Sequence, residues 1–421
     1  MEVKKQRVKK LSLATWILIA TLGGIVFGSI VGPAASNLKV VGDIFIRLIQ
    51  MSVVILVMTA VASALANIDT GSAGKMGLYT FVSIIIFTMI SAGIGLALGL
   101  IVKPGQGISL GVGEIARTEV VSTSLSDTIL NFVPTNIIGS MASGAMISCI
   151  VFSIFLGLAA GMYKKQTGKS GIVDWLNEMN GIIMNIIKMV MKFAPIGIFC
   201  LLANVSGSVG FKVIIPMIKF LGCLALGDLI QFLIYVPATA AICDVGLAKM
   251  PKKFAKMSIM AMTTTSSAIC LPTKMEDEVT KFGVSREVAA FTGPITMSMN
   301  SCGAVQCYIL AILFMSQATG VVLTPGQLGM AILLSVLMCM GTIVVPGGMV
   351  VTYTFLATSL GLPVEAMSVL IGIDWFSGMF RTVMNVDVDC MVAMLVSKKL
   401  GVLDKEVYDG VKTVEYAITN E

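Results

Sequence analysis

The amino-acid sequence predicts an all-α polytopic membrane protein. Hydrophobic residues make up 56% of the 421 positions and charged residues only 12%, whereas a soluble domain carries about 25% charged residues. Several apolar runs approach or exceed the roughly 20 residues that an α-helix needs to cross about 30 Å of hydrocarbon. The net charge of +6 does not indicate nucleic-acid binding, because no basic patch is interleaved with stacking aromatic residues.

Eight long segments are predicted to be transmembrane helices. Predicted helices 1 to 7 cover about 13–31, 40–68, 78–102, 141–162, 172–205, 214–242 and 288–315, and predicted helix 8 contains 371–390. Pro195 is expected to kink predicted helix 5, because proline removes a backbone donor from a helix interior. Residues 104–140 are polar and rich in turn residues, which predicts an external loop.

Basic residues predict the orientation. They cluster in residues 4–10, 164–169, 249–256 and 398–405. If each predicted helix crosses the bilayer once, all four clusters fall on one side, which the positive-inside rule assigns to the cytoplasm. We therefore expect a multi-pass protein of the cell membrane (the cytoplasmic or inner membrane) with both termini in the cytoplasm.

Two segments break the pattern of single crossings. In residues 255–285, a polar TTTSSA turn and Pro272 separate two apolar halves that are each too short to span, which predicts a re-entrant hairpin entering from the cytoplasm. Residues 328–360 repeat the device in the opposite sense around Pro346. Two oppositely directed broken segments favour a binding site near the midplane. The alternative is a pair of ordinary helices kinked at Pro272 and Pro346.

Predicted helix 8 carries a polar stripe. A charged side chain at the bilayer centre costs a few kcal/mol or more, so this stripe is expected to face protein or water. The planar guanidinium of Arg381 is suited to bind a carboxylate, while Asp389 and Asn385 offer oxygen ligands for a cation. The alternative is an internal ion pair between Arg381 and Asp374 or Asp389. At about 100° per residue, five residues share a sector of roughly 80°: Asp374, Gly378, Arg381, Asn385 and Asp389.

Predicted helix 7 contains residues that favour local unwinding. Pro294 and Gly303 flank the stretch that carries Asn300. Unwinding there would free backbone carbonyls to coordinate a cation beside the Asn300 side chain. The alternative is a kinked packing helix whose serines and threonines bond to their own backbone.

An enzyme is not expected. The chain has no histidine, which excludes the common hydrolase triads and removes the most frequent metal ligand. The nine cysteines lie mostly within apolar runs and are interpreted as small buried residues.

Several motifs, in order along nearly the whole chain, resemble the dicarboxylate/amino acid:cation symporter family, which includes the glutamate transporter homologues. They include VGDIFIRLIQM in predicted helix 2, Ser266-Ser267 before Leu271-Pro272, and Val345-Pro346-Gly347. The last helix adds its own matches, which are Asp374-Trp375-Phe376, Arg381-Thr382, Asn385 and Asp389.

The resemblance implies eight transmembrane helices plus two oppositely oriented re-entrant hairpins, the elevator-type fold of glutamate transporter homologues, in a homotrimer. Residues 1–75 and 141–210 would be scaffold (helices 1–2 and 4–5), and 76–140 would hold helix 3 of the transport part and the external loop. Residues 211–400 would complete the transport part, with hairpin 1 at 255–285 and hairpin 2 at 328–360. Residues 401–421 would form a cytoplasmic tail.

The resemblance also implies the site. The substrate-binding residues would be Arg381, Asn385, Thr382, Gly378, Ser266, Ser267, Val345 and Gly347. The ligands of a coupling sodium ion would be Asp389, Asn300, Asn385, Thr296 and Ser298, with protons as the other possible coupling ion.

Departures from the family pattern bear on the substrate. The family's helix-7 motif N-M-D-G-T reads Asn300-Ser301-Cys302-Gly303-Ala304 here, and the aspartate that holds an amino acid's ammonium is replaced by Gly378. An ammonium buried without a counter-charge costs several kcal/mol, so a dicarboxylate fits better. The sequence therefore predicts cation-coupled symport of a small organic anion, a dicarboxylate, across the lipid bilayer. The alternatives are a sodium-coupled amino acid transporter of the same family and an uncoupled anion conductance or sensor on the same fold.

Overall fold

The computed structural model describes residues 13–66, 74–108, 133–143, 146–339 and 349–415. Within these ranges the regular structure is helical and contains no strand. The helices of the first half are α1 (Leu13–Val31), α2 (Lys39–Ala66), α3 (Gly74–Val102), α4 (Ile137–Ser143), α5 (Met146–Thr167), α6 (Gly171–Met191), α7 (Ala194–Val209) and α8 (Ile214–Cys243). Those of the second half are α9 (Met250–Thr264), α10 (Ser267–Thr280), α11 (Arg286–Met299), α12 (Cys302–Thr319), α13 (Pro325–Cys339), α14 (Met349–Ser359), α15 (Ser368–Gly372), α16 (Asp374–Leu400) and α17 (Lys405–Asp409).

The structure supports a membrane protein. Within the described ranges, four segments are long and apolar enough to cross a bilayer: Thr15–Leu48, Gly74–Val102, Gly210–Cys243 and Arg286–Thr319. The first three are 35–44% buried inside the protein, which leaves broad apolar surfaces for lipid, whereas the fourth is 89% buried. The chain therefore has lipid-facing segments around one enclosed segment.

Two predicted helices are broken. Predicted helix 5 is divided into α6 and α7 at Lys192–Phe193, and Pro195 lies in the first turn of α7. Proline fits there because the first helical donors have no intrahelical partner. Predicted helix 7 is divided into α11 and α12, with Asn300 and Ser301 in extended or irregular backbone between them. The expected unwinding is thus confirmed at that point.

The segment predicted as hairpin 1 forms two helices. They are α9 and α10, which pack against each other and meet at Thr265 and Ser266. Thr265 has the left-handed backbone conformation (φ 49°) that β-branched residues rarely adopt. Pro272 lies inside α10, so the chain reverses before the proline and is not a single helix kinked by it. The tip of predicted hairpin 2, with Val345, Pro346 and Gly347, lies outside the described residues.

The helices pack in two groups. The first comprises α1, α2, α5, α6 and α7, in which α1 packs on α7 and α2 packs on α5, α6 and α7. In the second group, α16 is central and packs against α3 and α8 through α12. Residues 349–372 connect the groups, since α14 contacts α2 and α15 contacts α7. This arrangement places the polar stripe of α16 inside the second group.

Candidate functional site

The predicted polar stripe of α16 is enclosed by protein. Arg381, Asn385 and Asp389 are each at most 2% exposed, and Asp374 is 6% exposed. Gly303 explains how α12 comes so close to this face, because a Cβ at that position would lie 2.5 Å from the Arg381 carbonyl oxygen. The stripe therefore faces the protein interior, as membrane depth requires.

Arg381 pairs with one carboxylate. Its Nη2 donates to Asp374 Oδ1 at 2.9 Å, so the ion pair that the sequence offered as an alternative is present. The pair does not use the whole guanidinium. Nη1 reaches only the Cys307 Sγ atom at 4.0 Å, and Nε has no partner among the described residues. A guanidinium carries five N–H donors, so it keeps donors for a second carboxylate.

The tip of hairpin 1 lies beside this guanidinium. A Cβ at Gly378 would lie 3.4 Å from Arg381 Nη2 and 3.7 Å from the Cβ of Thr265. Ser266 and Ser267 follow directly and are buried, and the buried Thr265 hydroxyl has no partner in the described chain. Strain of the kind that Thr265 shows is typical of ligand sites, where it costs about 1–3 kcal/mol. Hairpin 1 and α16 thus bring the predicted residues together.

Asn385 fixes the start of α12. Its Oδ1 accepts hydrogen bonds from the backbone N–H groups of Gly303 (2.9 Å) and Ala304 (3.3 Å). These two N–H groups are free because a helix leaves its first donors without intrahelical partners. The Nδ2 of Asn385 is buried and has no partner among the described residues. Asn385 therefore has a structural role and one spare donor.

Two of the predicted cation ligands bind a lysine ammonium. Lys274 of α10 is 1% exposed, and its Nζ donates to Asp389 Oδ2 at 2.7 Å. Its two other hydrogen bonds, at 3.0 Å each, go to Thr296 Oγ1 and the Gly293 carbonyl. Asn300 Nδ2 donates to the second Asp389 oxygen at 2.7 Å. Three of the predicted ligands are thus brought together: Asp389 and Thr296 bind the amino group, and Asn300 binds the other side of the carboxylate.

A sodium ion does not fit this arrangement of Asp389. The face of the carboxylate that points to Thr296 and Gly293 is already bound by a cation. Two positive charges in contact repel strongly in an interior that water does not screen. Ser298 contributes nothing here, since its hydroxyl donates to the Pro294 carbonyl at 3.0 Å. Thr382 likewise bonds to its own helix, at the Gly378 carbonyl (2.8 Å).

The sequence reasoning missed two parts of the site. One is Lys274, and the other is the contact of Cys307 with Tyr353, whose hydroxyl lies 3.3 Å from the thiol that Arg381 approaches. A signal for Lys274 existed: it is a lysine two residues after Pro272, within a segment predicted to enter the membrane, where an unpaired ammonium is expensive. Cys307 and Tyr353 had no such signal, because in the sequence they cannot be distinguished from the packing residues of an ordinary apolar helix.

A buried arginine on a central helix, broken helices around it and an apolar exterior define a membrane transport protein for a small anion. The sequence profile of the sodium:dicarboxylate symporter family matches residues 13–399, and the chain belongs to this family. It is 30% identical over 400 residues to the proton/glutamate-aspartate symporter of Bacillus subtilis (strain 168), covering 93% of this chain and 95% of that protein. It is 28% identical over 413 residues to the proton/sodium-glutamate symport protein of Bacillus caldotenax, covering 95% of this chain and 97% of that protein. It is 25% identical over 399 residues to the C4-dicarboxylate transport protein of Agrobacterium fabrum (strain C58 / ATCC 33970), covering 93% of this chain and 88% of that protein.

Proposed function

We propose that this chain is a secondary active transporter that carries a small organic dicarboxylate by cation-coupled symport. One observation supports this most directly: three buried polar atoms in one region lack partners among the described residues. They are Arg381 Nε, Asn385 Nδ2 and Thr265 Oγ1. Leaving a buried donor unsatisfied costs about 1–3 kcal/mol each, so a ligand that accepts from them is strongly favoured. All three can donate a hydrogen bond, which suits an anion.

The neighbourhood of Arg381 favours a substrate without an amino group. The carboxylate of Asp374 is already bonded to the guanidinium. At Gly378, where the family's amino acid transporters place an aspartate, only a hydrogen faces the site. A substrate ammonium would therefore have no counter-charge of its own, whereas a second substrate carboxylate can meet the serine-rich tip at Ser266 and Ser267.

The helix packing supports an elevator movement. In this proposal α1, α2, α5, α6 and α7 form the scaffold, and α3, α8 through α14 and α16 move with the substrate. Eight crossings and two re-entrant hairpins, α9–α10 and α13–α14, complete the proposed fold. We further propose a homotrimer in the cytoplasmic membrane with both termini in the cytoplasm.

The coupling ion is a cation. The names of the similar proteins include both proton and sodium, and the position of Lys274 bears on which of them acts at Asp389. In either case the chain's own residues bind the anion, enclose it under the tip of hairpin 1 and exclude water from the buried pair of Arg381 and Asp374.

Uptake into proteoliposomes tests the proposal. Labelled succinate and labelled aspartate are offered with a sodium gradient, a pH gradient or neither. Gradient-driven uptake of succinate above aspartate is expected, and an Arg381→Ala variant serves as the inactive control. If no gradient drives uptake of either carboxylate into vesicles that contain folded protein, the proposed transport activity is wrong.

The second candidate is a transporter of acidic amino acids on the same fold. It is favoured by the names of the similar proteins, several of which are glutamate-aspartate symporters. In the same assay it predicts uptake of aspartate above succinate. An uncoupled conductance would instead give currents in proteoliposomes that are not tied to a fixed ratio of substrate and ion.

A further inference from the structure

Lys274 is held as a bound cation would be. Its ammonium has three protons, and each of them points to one oxygen: Asp389 Oδ2, Thr296 Oγ1 and the Gly293 carbonyl. Three donors are all that an ammonium has. The Thr296 hydroxyl in turn donates to the Gly293 carbonyl at 3.3 Å, which closes the group. All three donors of the amino group are therefore used, and none is left for another ligand.

The oxygens come from separate parts of the fold. Asp389 belongs to α16, Thr296 and Gly293 belong to α11, and Lys274 reaches them from α10. A dissociable ion bound to the same oxygens would link α11 and α16 only while it is present. The lysine links α10, α11 and α16 permanently, because it is part of the chain.

The Asp389 carboxylate is already paired with a positive charge that belongs to the chain. Asp389 contributes one negative charge and Lys274 one positive charge, and both side chains are 1% exposed. The second oxygen of the carboxylate is bonded to Asn300. An additional cation would have to share Asp389 with the ammonium in a region that does not screen charge.

We propose that the Lys274 ammonium is a tethered cation that takes the place of a dissociable sodium ion at Asp389, so that this position contributes no sodium coupling to transport. The proposal deepens the proposed function by restricting its coupling ion. It predicts that removal of the lysine side chain creates a sodium site from oxygens that are already in place. These oxygens are the ones that now bind the ammonium, from Asp389, Thr296 and Gly293.

Sodium-dependent thermal stability of the purified protein in detergent tests this without substrate. Sodium chloride is compared with choline chloride at equal ionic strength, for the wild type and for Lys274→Ala, Lys274→Ala/Asp389→Asn and Lys281→Ala. Lys281 pairs with Asp277 at 2.8 Å and is part-exposed, so its variant is the matched loss of a lysine from the same helix–turn segment. The expected result is a saturable sodium stabilisation that is gained only in Lys274→Ala and is lost again in the double variant. At a sodium concentration of about 100 times its Kd, the ratio of folded to unfolded protein should rise about 100-fold.

The double variant keeps the test decisive if Lys274→Ala does not fold. It removes both charges together, which avoids an unpaired buried ion. The proposal requires that the wild type and the double variant respond to sodium equally, because any sodium then binds elsewhere. A sodium stabilisation that the wild type shows and the double variant lacks would overturn it, as would a folded Lys274→Ala protein that gains no sodium response. Neither result depends on uptake, so a failure here is distinct from a failure of the proposed transport.

Discussion

Replacement of Gly303 by alanine tests whether the site depends on the close contact between α12 and α16. The new Cβ would lie 2.5 Å from the Arg381 carbonyl oxygen and 2.8 Å from its Cα, and both are backbone atoms that cannot rotate away. Restoring ordinary contact requires the two helices to separate by about 1 Å, in an interior packed as densely as a crystal. The separation also stretches the 2.9 Å hydrogen bond between the Gly303 N–H and Asn385 Oδ1.

The magnitude follows from three contributions. Overpacking costs about 1–3 kcal/mol, and the weakened hydrogen bond costs about 1 kcal/mol. Alanine gains about 1 kcal/mol over glycine in a helix. The net expectation is that Gly303→Ala lowers the free energy of unfolding by about 1–3 kcal/mol and weakens anion binding, because the backbone that carries Arg381 has moved.

The assay is thermal unfolding in detergent together with anion binding by thermal shift. Gly222→Ala is the matched control, since a Cβ at that position of α8 meets nothing within 4 Å. It should leave binding unchanged and keep or slightly raise stability. If Gly303→Ala is as stable as Gly222→Ala and binds the anion equally well, the inferred contact between α12 and α16 is wrong.

Three further predictions concern charge. Arg381→Ala should reduce anion affinity by roughly 30-fold or more, since truncating one partner of a buried charge pair costs about 2–5 kcal/mol. The double variant with Asp374→Ala should regain stability but not anion binding, as measured by binding isotherms. If the double variant recovers binding, Arg381 does not belong to the site. Gly378→Asp should lower succinate uptake and raise aspartate uptake, because its carboxylate supplies the missing counter-charge for the substrate ammonium, whereas Gly378→Asn should not. If succinate and aspartate compete for uptake equally in the two variants, this prediction is wrong. Outside the membrane, the hydrogen bond from Lys412 at 2.8 Å lowers the pKa of Asp404. The stabilisation by ionised Asp404 is therefore present above the usual pKa of about 4 and is lost as the pH falls through the lowered value. The difference in melting temperature between wild type and Asp404→Asn should be seen at pH 7 and vanish in strong acid, and a difference that grows on acidification would contradict this.

Much of the site could be predicted because membrane depth makes polar residues informative. Arg381, Asn385 and Asp389 share one face at helical spacing, and a greasy helix cannot direct such a face to lipid. The break near Asn300 followed from the nearby proline and glycine. These inferences use local periodicity and the cost of burial, both of which are readable from a single chain.

Other features depend on partners that are distant in sequence. Lys274 and Asp389 are 115 positions apart, and no local pattern says that the ammonium will reach that carboxylate. The same holds for Asn385, whose amide oxygen caps α12 from a neighbouring helix. Composition likewise could not place the break of predicted helix 5 at Lys192–Phe193 rather than at the proline that follows, since proline is as acceptable in a first turn as it is disruptive in an interior.

The enclosure of α12 separates hydropathy from lipid contact. Every residue from Cys302 to Ser316 is buried within the described chain. The apolar side chains of this helix therefore have to fit against α3, α13 and α16, and they do not face lipid. A thicker or thinner bilayer can act on it only through the outer helices. Substitutions that merely exchange one oily side chain for a larger one should therefore be tolerated on α1 or α8 and rejected here, where the surrounding solvent is the protein itself.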